Sequence, residues 1–282
     1  MIDLHAHILP ELDDGPASLE ESLDMARIAT ENGISIMVAT PHSLNGVFYN
    51  PRKKILKACA SLNAALQESK IALTILPGSE AHLSPEIIDD LENGRLMTLN
   101  DANKFLFLEL PDHFTHRAGM TLIKHLLCKN ITPIIVHPER NVTIQKSHKV
   151  IKAYFKAGAK IQITGASLWG EFGPEALNCS KILLKDGLVH FIASDSHSPD
   201  SRPPDLKRAE KILETLVGKK QAYWMVSEAP RQVVDGHAHY KSGVQPHAIP
   251  ASDGNKAFEK RFGLAQIPLF FMERFGFVKK QF

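Results

Sequence analysis

The chain has 282 residues, 44% apolar and 23% charged, with a net charge of +2. That is long enough for one large α/β domain with room for an appendage, and ordinary for a globular protein in water. A near-neutral balance gives nucleic-acid binding no electrostatic support, and no apolar run is long enough to span a bilayer. Cys59, Cys128 and Cys179 lie far apart with no C-x-x-C pair, which excludes a zinc ribbon or redox motif and fits a reducing cytoplasm. No basic stretch followed by an apolar one marks a signal peptide at the N-terminus.

Strand-like and helix-like segments alternate along the chain, which predicts a parallel sheet with helical crossovers. The first strand covers 2–5 in Met1-Ile-Asp-Leu-His-Ala-His7. Ser18-Leu-Glu-Glu21 is a capping box; Leu19, Leu23 and Ala26 then follow at helical spacing until Gly33 stops the helix. A strand at 35–40 comes next. Asn50-Pro51 and Ser84-Pro85 each pair a capping side chain with a proline at a first helical position. Strands at 72–77, 105–110, 131–136, 160–164 and 189–194 bring the total to seven. All are rich in Ile, Val, Leu and Phe with little alternation, as strands buried on both faces are. Further helices are expected at 115–129, 144–157, 174–186 and 205–218. Residues 241–255 are rich in Gly, Pro, Ser and Ala and read as a linker. Residues 256–282 hold seven of the 14 phenylalanines and six Lys and Arg against two Glu. They read as a terminal helix packed on the catalytic region or on a second subunit, with membrane-surface or partner docking as the rival reading.

Apolar runs keep stopping at the same kinds of residue. His5 and His7 are two apart on a strand and so share a face. A buried His-x-His without a partner would be expensive to desolvate. Asp14 lies in the loop just after, in Asp13-Asp14-Gly15. His42 closes Met37-Val-Ala-Thr-Pro-His42, and Glu80 closes Thr74-Ile-Leu-Pro-Gly-Ser-Glu80. Glu109 sits inside Phe105-Leu-Phe-Leu-Glu-Leu110, an apolar setting in which a carboxylate is rarely buried unpaired. His137 ends Ile134-Ile-Val-His-Pro-Glu-Arg140, and Asp195 and His197 end Phe191-Ile-Ala-Ser-Asp-Ser-His197. Chemistry gathers at such strand ends in parallel barrels. Five imidazoles and four carboxylates with no thiolate exceed what one ion needs; three would share them, and the mixture suits Mn, Fe or Zn. His82, His113, His116, His125, His148, His190 and His247 lack this setting. His237-Ala-His239 repeats the letters of His-x-His without a strand before it.

The order His-x-His, Asp, His, Glu, Glu, His, Asp-x-His resembles the polymerase and histidinol phosphatase superfamily. Within it the chain resembles the CpsB/CapC family, bacterial metal-dependent protein-tyrosine phosphatases of capsule and exopolysaccharide loci. The likeness rests on Met1-Ile-Asp-Leu-His-Ala-His7, Asp13-Asp-Gly-Pro16, Pro41-His42, Thr98-Leu-Asn100, Ile131-Thr-Pro-Ile-Ile-Val-His-Pro-Glu-Arg140 and Ile192-Ala-Ser-Asp-Ser-His197 with Arg202-Pro-Pro204. It covers about residues 1–240. The resemblance implies a distorted (β/α)7, TIM-like barrel with three divalent or trivalent metal ions. One would be held by His5, His7, Glu80 and Asp195. Glu80 would bridge to a second with Glu109 and His137, and Asp14, His42 and His197 would hold the third. Arg140 and Arg202 would then grip phosphate with planar two-pronged contacts; their alternative is surface salt-bridging. The implied partner is a phosphotyrosine protein, an autophosphorylating tyrosine kinase controlling polysaccharide export, and a homo-oligomer stays open. A small-molecule phosphatase for histidinol phosphate or a nucleotide shares the same metal set. An amidohydrolase barrel lacks its carboxylated lysine here, a non-catalytic scaffold would not need nine ligands, and no G-x-S-x-G supports a serine hydrolase.

Overall fold

The computed structural model describes residues 1–112 and 114–236. The chain divides into a unit from Met1 to Ala248 and a second from Ile249 to Phe282. The second unit, the expected linker 241–255, the extension 256–282, and His113, His237, His239 and His247 lie outside the described residues. No helix among the described residues is long and apolar enough to cross a membrane.

Each of the seven expected strands forms, but two are interrupted, so nine segments result. These are β1 (Ile2–Ala6), β2 (Ile36–Ala39), β3 (His42–Ser43), β4 (Thr74–Pro77), β5 (Glu80–His82), β6 (Phe105–Glu109), β7 (Thr132–Val136), β8 (Lys160–Thr164) and β9 (Phe191–Ala193). One parallel sheet runs β1-β2-β4 and the other β3-β5-β6-β7-β8-β9. The first break falls at Thr40-Pro41, where proline has no N–H for a ladder. Its carbonyl instead accepts from Glu80 N at 3.1 Å. The second falls at Gly78, where an added Cβ would lie 2.9 Å from Val38 Cγ1 and 3.0 Å from Leu99 Cδ2. The strands resume in register with His42 opposite Glu80. At the far side β1 meets the segment following β9. Asp195 N donates to His5 O and His7 N to Ser196 O, both at 2.8 Å, and Ala6 bridges Ser196 in parallel.

Strand alternation sorts the core. In β6, Leu106 and Leu108 join the large cluster shared with the helices, while Phe105 and Phe107 join a smaller one with Ile134, Val136 and Phe191. Two residues on from Phe107, on that same face, stands Glu109. In β8, Ile161 and Ile163 face the large cluster, and Gln162 and Thr164 reach side chains of the ligand set.

The helices are α1 (Leu19–Glu31), α2 (Arg52–Glu68), α3 (Ile87–Glu92), α4 (His116–Cys128), α5 (Val142–Lys146), α6 (Lys149–Ala157), α7 (Gly173–Lys185), α8 (Leu206–Val217), α9 (Lys219–Tyr223) and, after a π-helical turn over Trp224–Glu228, α10 (Ala229–Val234). Ser18 caps α1 as expected, its Oγ accepting from Glu21 N at 3.2 Å, but the returning carboxylate of Glu21 accepts from Ala17 N, one residue before the cap, at 2.7 Å. Two other helix-start readings are corrected. Ser84 makes no cap bond at α3, whose first flanking residue is Glu86. Asn50 does not cap α2; it is buried, and its side-chain amide donates to Leu12 O (2.7 Å) and His42 O (2.8 Å). The single helix expected at 144–157 is two, α5 and α6, because Asn141 caps from an earlier position through Thr143 N and Ile144 N. Helices α9 and α10 lay beyond the expected set. Helices α4 and α6 touch closely at Gly119. Tyr154 Oη donates to His116 O at 3.2 Å, and a Cβ on Gly119 would fall 2.1 Å from that hydroxyl.

His190 is a core residue, as its position near a strand start suggested. Its Nδ1 accepts from Ile161 N at 3.1 Å. Burial, helped by the Lys160 charge, pushes its pKa down to about 3.

Candidate metal centre

The nine strand-end residues converge on one cavity. His5 lies on β1 and His7 just beyond it, both buried. His42 opens β3, Glu80 opens β5 and Glu109 closes β6. His137 follows β7, and Asp195 and His197 follow β9. Asp14 reaches in from the turn after β1, with its side chain about half exposed (53%). Two of these residues hold left-handed backbone: His137 with φ 32° and Asp195 with φ 53°. Such conformations cost roughly 1–3 kcal/mol outside glycine and persist where the surroundings demand a particular side-chain aim.

The tautomers of the first two imidazoles decide what the cavity can hold. His5 Nδ1 faces Gln162 Oε1 at 3.1 Å, and His7 Nδ1 faces Asp13 Oδ2 at 2.6 Å. Both partners accept, so each Nδ1 carries the proton and each Nε2 presents a lone pair. The two Nε2 atoms are 3.3 Å apart. Glu80 Oε2 lies 3.4 Å from the first and 3.3 Å from the second, and Asp195 Oδ1 3.5 and 3.7 Å from them. Two ring nitrogens and two carboxylate oxygens thus crowd one point. Nearby, His42 Nδ1 is 3.1 Å from Glu80 Oε2, and His137 Nε2 is 2.8 Å from Glu80 Oε1. His197 Nε2 is 3.4 Å from Asp14 Oδ1. His42 Nδ1 and Glu80 Oε2 are buried and engage in no hydrogen bond. Each such orphan costs on the order of 1–3 kcal/mol.

Divalent cations fit this donor set. Three groups have their ligand atoms within 4.8 Å of one another: His5, His7 and Glu80; His42, Glu80 and Glu109; and His7, Asp14, His42 and His197. Asp14, His42 and His197 fall together, as the resemblance implied. His42 also joins Glu109, which cuts across the implied partition.

The electrostatics tell the same story. Burial opposes charge on His5, but Glu80 and Asp195 outweigh it and raise its pKa. Burial likewise opposes charge on His7, and Asp13 and Glu80 raise it well above the usual range. Without cations, protons supply the positive charge that the carboxylates demand. Burial lowers His42 and His197, leaving both rings neutral at pH 7. Glu80 is held far below the carboxylate range despite its burial, by His5 and His137. Asp14 is lowered by its hydrogen bond to His197.

Arg140 and Arg202 flank the cavity mouth, and both grip Asp195. Arg140 Nη1 donates to Asp195 Oδ2 at 2.5 Å; Arg202 Nη2 donates to the same oxygen at 2.6 Å and to Asp195 O at 2.9 Å. Phe172 lies under both guanidiniums, 4.3 and 5.5 Å from its centroid. The remaining N–H groups are available to an oxyanion. Three further residues belong to the site. Asp13 also accepts from His42 N (2.9 Å) and so orients two imidazole-bearing segments at once. Gln162 fixes His5. His82, set aside from sequence, pairs its Nε2 with Glu109 Oε2.

The family model for "Capsular polysaccharide synthesis, CpsB/CapC" matches residues 1–235. The chain belongs to the CpsB/CapC family. Among curated CpsB/CapC relatives, the tyrosine-protein phosphatase YwqE of Bacillus subtilis is 37% identical over 246 residues, covering 87% of this chain and 96% of that one. The tyrosine-protein phosphatase CpsB of Streptococcus pneumoniae is 30% identical over 239 residues, covering 83% and 98%. A crystal structure from a study of YwqE and CpsB, described as unique metal-dependent tyrosine phosphatases, superposes with a TM-score of 0.80 at 35% identity. It covers 84% of this chain and 95% of its own.

Proposed function

We propose that this protein is a metal-dependent protein-tyrosine phosphatase acting on an autophosphorylating tyrosine kinase of capsule or exopolysaccharide synthesis. The catalytic region is residues 1–240, its two sheets forming a distorted (β/α)7 barrel. The reading is carried by the convergence of two ring nitrogens and two carboxylate oxygens, from His5, His7, Glu80 and Asp195, with nitrogen-to-nitrogen and nitrogen-to-oxygen distances of 3.3–3.7 Å. The family relatives that bear the name tyrosine-protein phosphatase support the substrate class.

Three cations, Mn, Fe or Zn, would be held by His5, His7, Asp14, His42, Glu80, Glu109, His137, Asp195 and His197. When bound they supply Lewis acidity and water deprotonated near neutral pH. The protein's own groups do the rest. Arg140 and Arg202, braced on Asp195 and Phe172, turn free N–H groups toward the phosphoryl oxygens and take up charge that grows there. Asp13 and Gln162 lock the tautomers of His7 and His5, so that no imidazole proton competes for the cavity. A tyrosinate leaving group, with a pKa of about 10, departs with less protonation than an alkoxide.

The test pairs elemental analysis of protein purified without chelator with turnover of a phosphotyrosine peptide, histidinol phosphate and a nucleotide monophosphate. Bound metal and preference for the peptide are expected. His5→Ala, His137→Ala and Asp195→Ala should each lower turnover by at least about a hundredfold, since even outer partners of metal ligands cost 10–100-fold. Full activity in any two of them removes the metal-site reading.

A further inference from the structure

The described residues hold five exposed large apolar side chains: Leu19, Val47, Tyr49, Val142 and Tyr223. Val47 and Tyr49 stand in one short loop directly after His42, and Val142 lies two residues past Arg140. Val47 and Tyr49 therefore display apolar surface a few residues along the chain from His42. Between Val47 and Tyr49, the half-buried Phe48 lies nearly parallel to the His42 ring, with centroids 5.9 Å apart and 8° between planes. The loop is not slack. Asn45 Oδ1 accepts from Val47 N (3.1 Å) and Phe48 N (2.8 Å). Leu44 and Gly46 take positive φ to make the turn. Ser43 Oγ donates to Asn50 O, and the Asn50 amide ties the base to Leu12 and His42.

A solvated loop has no reason of its own to spend five hydrogen bonds holding Val47 79% and Tyr49 68% exposed. Burying either inward would be favourable. Their display makes sense where something apolar arrives. On its other flank, Leu44, Asn45 and Gly46 border a cleft of about 430 Å³ that reaches His82 and Leu83, so there is space for chain beside the loop. The occupant is fixed by continuity with the phosphoryl site. A group whose phosphate is held beside His42 would have its next atoms within reach of Phe48, which stacks on that ring.

We propose that loop 44–49 is the element that selects aryl phosphates. Phe48, backed by His42, is a stacking face for the tyrosyl ring, and Val47 and Tyr49 cover the polypeptide on either side of it. This rests on the phosphatase reading above. Aromatic stacking adds a modest increment beyond simple burial, so the effect is a preference of about fivefold to tenfold rather than a switch.

The test separates ring recognition from turnover. Metal-loaded protein is titrated calorimetrically with phenylphosphonate and with methylphosphonate. The unaltered protein should bind the phenyl compound about fivefold to tenfold more tightly. Phe48→Ala should erase that preference while leaving methylphosphonate affinity and bound metal unchanged. Tyr49→Ala and Val47→Ser should raise KM for a phosphotyrosine peptide and leave phenyl phosphate unaffected. Equal binding of the two phosphonates by the unaltered protein overturns the proposal, as does a full preference in Phe48→Ala. Loss of metal in Phe48→Ala also overturns it, since Phe48 then only supports His42. Failure of the unaltered protein to hydrolyse any phosphomonoester would sink the phosphatase reading, while the phosphonate ratio would still report on the loop.

Discussion

Asp13 and Asp14 are neighbours with opposite tasks. Asp14 points a half-exposed carboxylate at His197, while Asp13 turns its buried carboxylate inward to hold His7 and the His42 amide. Replacing Asp13 with Asn keeps the shape but removes the charge and turns one of the two acceptor oxygens that serve His7, His42 N and Gly15 N into a donor. Metal affinity should fall about 10–100-fold, measured by chelator competition; unchanged affinity would mean His7 needs no such support. Arg140→Ala should weaken inhibition by inorganic phosphate about tenfold or more, as loss of a charged hydrogen bond does, with metal content intact. Loss of metal instead would make Arg140 a structural partner of Asp195. Eight of the nine cavity residues were legible because each stands at or near the end of an apolar run, and few other arrangements place His and carboxylate there. The choice between Asp13 and Asp14 was not legible, since adjacent acids in a turn differ only in which way the backbone aims them. His82 was hidden because its strand resumes after a break that the sequence reading treated as an end.

At the scale of elements, local signals held where no tertiary demand competed. The Ser18 cap forms because nothing else claims that hydroxyl. Asn50-Pro51 reads as a helix start with equal force, yet two buried carbonyls, Leu12 O and His42 O, claim the amide first. The breaks after β2 and β4 were partly visible as Pro41 and Gly78, but not their purpose, which is to shift His42 and Glu80 onto a second sheet in mutual register. Packing of α4 on α6 makes a sharper prediction. Gly119→Ala would drive a methyl into Tyr154 Oη and break its bond to His116 O. Overpacking of this kind costs about 1–3 kcal/mol. For a chain of this size that lowers Tm by roughly 2–4 °C per kcal/mol, while turnover per folded molecule stays the same. An unaltered Tm would show that the helices separate freely at this point.

Across the whole molecule, His190 ties stability to pH. Folded, it resists protonation down to about pH 3; unfolded, it titrates near 6.5. Its contribution is therefore complete above about pH 6.5 and is lost as pH falls toward 3, at up to about 1.4 kcal/mol per pH unit. Urea unfolding between pH 7 and 5 should show a shallower pH slope for His190→Gln than for the unaltered chain; parallel slopes would place its proton elsewhere. His42 and His197 push in the same direction, and His5 and His7 oppose them, so only the difference between the two proteins isolates His190. The junction between β1 and the stretch after β9 carries a separate consequence. Residues nearly two hundred positions apart meet there through two amide-to-carbonyl bonds, one bridge and the hydrogen bonds of Ser194 to Asp3, and the groups that would hold a cation stand on both lips of that seam, His5 and His7 on one, Asp195 and His197 on the other. An ion seated between them would be a clasp as much as a reagent: the first and last of the described strands would be fastened by the same atoms that equip the site for chemistry, and a chain that has not yet closed this seam would offer the ion only half its holders.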